Sequence, residues 1–179
     1  PFIPTHAPTA STLGLLDQTA IAFGGLKRLD FSNKEKISVT NIENNLSDYT
    51  LILINSGGSH ADLTDEYAAV KNEMISVAQR LGHSYLRDAD EAQFLNSIDL
   101  IRGVVGDRAI LRAKHFFAEN ARVDKEVYAL ENKEFGEFKK LVVKSGQSSY
   151  MYNQNVFTVK APSDQPVVPP CFVALKPNP

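Results

Sequence analysis

Apolar residues recur along the middle of the chain at a helical spacing. Tyr67, Val70, Met74, Val77, Ala78 and Leu81 form one stripe of a 3.6-residue period, which predicts a helix from about Leu63 to Leu81. Asp62 or Thr64 can cap its start, and Gly82 suits the left-handed residue that ends a helix. A second helical region covers Asp90 to Val105 and reads as two short pieces. The longest helix is predicted from about Asp107 to Asn132, its apolar face including Ile110, Phe117, Ala121 and Leu130. A further helix spans Glu134 to Lys144, where Phe135, Phe138, Leu141 and Val142 share a face.

The strand signals are weaker. Leu29 to Phe31 and Ile37 to Ile42 are expected to be strands, with Ser32-Asn33-Lys34 as the turn between them. Leu51 to Ile54 is a short aliphatic run between polar residues, the pattern of a strand buried on both faces. Val156 to Val159 is the last strand candidate. Ala20-Ile-Ala-Phe23 reads as a short helix closing at Gly24-Gly25. Strands grouped beside helical segments, without a regular β-α alternation, predict an α+β fold.

Both ends are rich in proline. Pro1 to Thr12 has three prolines, and Ala161 to Pro179 has six in nineteen residues, so neither is expected to be regular. With 43% hydrophobic and 22% charged residues, the composition is that of a folded domain. The net charge of -2 gives no electrostatic case for nucleic acid or an anionic membrane. No apolar run approaches the ~20 residues of a membrane helix. The single Cys171 excludes an internal disulfide and fits a cytoplasmic setting.

A few residues stand out for chemistry. Gly14-Leu15-Leu16-Asp17-Gln18 presents a carboxylate beside a glycine, whose uncrowded backbone lets a ligand approach. Taken alone, such an aspartate is more often a turn or capping residue. Tyr67 lies on the apolar stripe and, taken alone, reads as a core aromatic. Ser56-Gly57-Gly58-Ser59 lacks the spacing of a nucleotide phosphate loop and reads as a tight strand-to-helix connection. His60 and Asp62 lack a second ligand pair, so no metal site is expected. Asp107, Arg108, Arg112, His115, Glu119 and Arg122 form a dense charged face, read here as a solvated or interhelical ion-pair network.

Taken together in this order, Gly14 to Gln18, Asn55 to Tyr67 and Arg112-Ala-Lys-His-Phe-Phe-Ala-Glu-Asn120 resemble galactokinases, sugar kinases of the GHMP superfamily. Ser145-Gly-Gln-Ser-Ser-Tyr150 matches the same family's serine-rich segment. The resemblance runs over about residues 13–156. It implies phosphorylation of galactose at its anomeric hydroxyl, with ATP and Mg2+ as cofactors of the complete enzyme. It makes Asp17 the catalytic acid/base, and it places Gly14, Asp17 and Tyr67 at the sugar. It also implies three parts: residues 1–45 as the end of the N-terminal kinase domain, 46–160 as the C-terminal α+β domain, and 161–179 as a tail. The family's Pro-Gly-Arg…Gly-Glu-His segment, its Pro-x-Gly-x-Gly-Leu-Ser-Ser-Ser loop and its third, glycine-rich motif are not in this sequence, so residues that bind the nucleotide are not assigned. The sequence therefore reads as the later part of a kinase, inactive alone and prone to self-association through unpaired strands. Another GHMP kinase of small alcohols, or a sugar-binding or regulatory module without catalysis, remains an alternative.

Overall fold

A computed structural model of the chain describes residues 16–33, 36–50, 52 and 64–155. The chain divides into two compact units, Pro1–Asn41 and Ile42–Pro179. Among the described residues the fold is mostly helical with one small antiparallel sheet, an arrangement compatible with α+β.

In the first unit, helix α1 (Leu16–Phe23) ends at Gly24-Gly25, as the sequence suggests. Strands β1 (Lys27–Asp30) and β2 (Ser38–Asn41) pair antiparallel, with Leu29 opposite Val39 and Asp30 opposite Ser38. Each lies within two residues of its predicted span at either end. The Asp30 carboxylate accepts a hydrogen bond from the Ser32 backbone N–H at 2.7 Å, which turns the chain at Phe31 and stops β1 there.

Among the described residues, the second unit is built on four α-helices, α2 (Thr64–Arg80), α3 (Glu91–Val105), α4 (Asp107–Glu131) and α5 (Phe135–Ser148). Helix α2 closes with a pair of bonds that need a left-handed residue. Gly82 has φ +84°, its N–H reaches the Gln79 carbonyl at 3.1 Å, and the His83 N–H reaches the Ala78 carbonyl at 2.9 Å.

Helix α3 corrects the sequence reading: it is one continuous helix, not two short pieces. Asp90 caps it, accepting from the N–H groups of Ala92 at 2.6 Å and Gln93 at 3.1 Å. Phe94, Ile98, Ile101 and Val105 then supply an unbroken stripe toward the core. Gly106, at φ +85° and ψ 160°, breaks the chain between α3 and α4.

The core joins α2, α3 and α4. Val77, Ala78 and Leu81 pack with Phe94, Ile101, Ala109, Ile110, Ala113 and Phe117. The rings of Phe94 and Phe117 stack at 5.4 Å between centroids. Of the apolar face assigned to the longest helix, Ile110, Phe117 and Leu130 are buried, but Ala121 is exposed. The reason is geometric. Helix α4 changes partners along its length, from α2 and α3 to α5, and its buried stripe drifts past Ala121.

Helix α5 runs a turn beyond the predicted Lys144 and continues into a π-turn at Ser149–Asn153, closed by the left-handed Gln154 (φ 53°). Helix α5 packs on α4, where Leu141 of α5 and Ala129 and Leu130 of α4 are buried, and Tyr49 stacks on Phe135 at 3.7 Å. Four other features lie outside the described residues. They are the cap Asp62, almost all of the Leu51–Ile54 run, the strand candidate Val156 to Val159, and both proline-rich ends.

Candidate functional site

Of the three residues assigned to sugar and catalysis, Gly14 lies outside the described residues. Asp17 is the second residue of α1, and Tyr67 is the fourth residue of α2. Both therefore stand in the first turn of a helix. They fall in different units of the chain. The Ser56–Ser59 loop, His60 and Cys171 also lie outside the described residues.

What the structure does assemble is a polar seam between α2, α4 and the end of α5. Glu73 of α2 is its hub. Arg108 of α4 donates to the Glu73 carboxylate from Nε at 3.0 Å and from Nη2 at 2.5 Å. Arg112, one turn later, donates from Nη1 to Glu73 Oε2 at 2.8 Å and from Nε to the Asn153 carbonyl at 2.9 Å. The Arg112 side chain is only 2% exposed, whereas that of Arg108 is 49% exposed. Burial draws the Arg112 guanidinium below its ordinary pKa, and Glu73 opposes that shift. The carboxylate raises Arg108.

The second half of the seam joins α4 to the serine-rich end of α5. His115 Nδ1 and Ser148 Oγ lie 2.9 Å apart, and both residues are buried. Ser145 donates to Glu119 Oε2 at 2.7 Å, and Arg122 pairs with the same carboxylate. Burial first, and the Arg122 charge second, push the His115 imidazole down to about 4. Glu119 approaches Nδ1 at 3.9 Å and would favour the imidazolium. Its charge is already met by Arg122 and Ser145, so desolvation wins and His115 is neutral near pH 7.

This seam is not a catalytic dyad. A nucleophile and base must reach a substrate, and His115 and Ser148 are enclosed, at 8% and 3% exposure. Its chemistry is that of a hydrogen-bonded clasp, in which Glu73, Arg112, Ser145, Ser148 and the Asn153 carbonyl meet across α2, α4 and the end of α5. The charged face read from the sequence is thus an interhelical network. Sequence reasoning missed Glu73 as its hub, Ser145 and Ser148 as partners, and the Asn153 carbonyl. One signal for the first was available: Glu66 and Glu73 are seven residues apart, on one face of α2 beside the apolar stripe.

Elsewhere, an open groove of about 540 Å3 runs between α4 and α5, lined by Lys125, Tyr128, Glu134 and Leu141 among others. Among the described residues, no group of three or more His, Cys, Asp or Glu side chains could hold a metal ion. None of the described helices is long and apolar enough to cross a membrane.

Comparison with curated proteins gives partial matches. A galactokinase of Actinobacillus pleuropneumoniae serotype 3 (strain JL03) is 33% identical over 100 residues, which is 56% of this chain and 26% of that protein. A galactokinase of Glaesserella parasuis serovar 5 is 34% identical over 100 residues, again 56% of this chain. One from Thermotoga petrophila is 27% identical over 135 residues, 75% of this chain and 36% of its own length. The chain resembles galactokinases over part of its length. The matched stretches span a quarter to about a third of these galactokinases. No protein-family model matches the chain.

Proposed function

We propose that this chain supplies part of the sugar side of a galactokinase-type phosphotransferase of the GHMP class, working in the cytoplasm. The observation that carries this reading is the partial similarity to curated galactokinases, together with the Gly14–Gln18 and Glu66-Tyr67 segments. Gly14 and Tyr67 bind the sugar, and Asp17 is the catalytic carboxylate.

In that reading Asp17 accepts the proton of the anomeric hydroxyl as its oxygen bonds to the γ-phosphorus. The bond from that phosphorus to the leaving ADP oxygen breaks, giving galactose 1-phosphate. ATP with Mg2+ supplies the phosphoryl group in the complete enzyme. The described residues offer no cluster for the metal. Positioning and electrostatic stabilisation dominate phosphoryl transfer, so this chain alone should consume ATP with galactose more slowly than ~0.1 s⁻¹.

Two measurements test the reading. Galactose and ATP are titrated separately into the chain, with sugar binding expected. The chain is then joined to the complementary part of the Actinobacillus pleuropneumoniae galactokinase, and galactose-dependent ATP consumption is assayed. A folded chimera without turnover sinks the kinase reading. Sugar affinity retained in that inactive chimera would indicate a binding module instead, and turnover of another small alcohol would indicate a different GHMP kinase.

A further inference from the structure

The two ends of α2 are held differently. Its C-terminal half is fixed by apolar packing, because Val77, Ala78 and Leu81 are buried in the core and Met74 packs against it. None of the described side chains from Asp65 to Asn72 is buried. Ala68, Ala69 and Val70 of the first two turns are half-buried, and the charged contact at Glu73 follows directly after them. Arg108 grips that carboxylate with two nitrogens, and Arg112, buried and bonded to the Asn153 carbonyl, holds it from the other side. Glu66 lies two turns before Glu73 on the same helix face, and its charge also acts on both arginines.

We infer that Arg108 and Arg112 clamp α2 through Glu73, which makes Arg108 a positioning residue for Tyr67, less than two turns earlier on the same helix. Tyr67 follows Glu66 in the same turn, so whatever fixes the rotation of that turn carries the Tyr67 backbone with it. Arg108 suits this role better than Arg112. It is half exposed, so its removal leaves no buried charge and loosens the turn without unseating the core. The consequence for sugar binding rests on the proposed reading of Tyr67 as a galactose contact.

The test uses the whole chain labelled with 3-fluorotyrosine, the Tyr67 resonance being assigned by Tyr67→Phe. In Arg108→Gln the Tyr67 fluorine signal should shift or split, while the signals of Tyr128 and Tyr150 and the melting temperature stay where they are. Arg108→Lys keeps the charge but loses the two-nitrogen grip, and should fall between. Titrated with galactose, Arg108→Gln should bind about tenfold more weakly than the parent, and should add no loss in a Tyr67→Phe background. A Tyr67 signal indifferent to both Arg108→Gln and Glu73→Gln overturns the clamp. So does a shift shared by every tyrosine, which would indicate general loosening. If galactose moves no signal in the parent chain while Tyr67 still answers to Arg108→Gln, the clamp stands and the sugar reading falls.

Discussion

Arg112 of α4 and Glu73 of α2 form an ion pair at 2.8 Å in which the arginine is enclosed and the carboxylate three-quarters covered. Such a pair contributes little net stability when intact, because desolvating both charges offsets most of their attraction. Breaking it is another matter, since the remaining buried charge has no water to turn to. The pair thus fixes geometry more than it adds stability.

Glu73→Ala should therefore destabilise the chain by about 3–5 kcal/mol, the range for orphaning one partner of a buried ion pair. Urea denaturation measures it. Asp107→Ala, which removes the exposed partner of Arg102 across Gly106, should leave the midpoint unmoved. Equal losses in the two variants would mean burial does not separate these pairs.

Acid should weaken the fold through His115. An unfolded histidine titrates near ~6.5, whereas the buried one takes up its proton only at about 4. Between those values the unfolded chain binds more protons, so stability is full above the upper value and is lost as pH falls toward the lower one. Glu126 acts in the opposite direction, because burial raises its carboxyl. The difference between the parent chain and His115→Gln cancels that contribution. This difference should shrink steadily from pH 7 to pH 4, and a constant difference would contradict a neutral, buried His115.

Phe94 has no exposed surface and stacks on Phe117. Phe94→Ala should cost about 3–5 kcal/mol through lost transfer energy and the cavity left behind. Leu100, on the same helix but 83% exposed, should tolerate Leu100→Ser with almost no change in melting temperature. Thermal melts of both variants decide whether α3 is oriented as described.

Asp17→Asn, placed in an active chimera, should lower kcat at least ~100-fold, the low end for removing acid–base help. The melting temperature should barely move. A large loss of stability with nearly normal turnover would make Asp17 a structural residue of α1.

Self-association is the outcome expected from the first unit. Among its described residues, Ile21 is 82% and Phe23 58% exposed, beside a sheet of only two strands. Sedimentation at low micromolar concentration should show association that Ile21→Lys suppresses. A clean monomer in the parent chain would show that this surface is not adhesive.

Sequence alone determined the helices α2, α4 and α5, the hairpin, and the Gly82 stop, because these depend on periodicity and on local backbone chemistry within a few residues. It also carried the galactokinase resemblance, which lives in short motifs. Asp17 and Tyr67 are proposed as site residues only through those motifs, since neither residue type in its local pattern separates a ligand contact from a cap or a core aromatic. Only the tertiary structure decided that α3 is a single helix, because its continuity depends on burying Phe94 to Val105 against other helices. The exposure of Ala121 was likewise settled by which helix α4 meets at each point. The partners of the charged face came from tertiary structure as well. Arg108 and Arg112 find Glu73 thirty-five and thirty-nine residues away, and Glu119 finds Ser145 across twenty-six. No periodicity reaches that far, because such pairings are fixed by how helices pack and not by the order of residues along them.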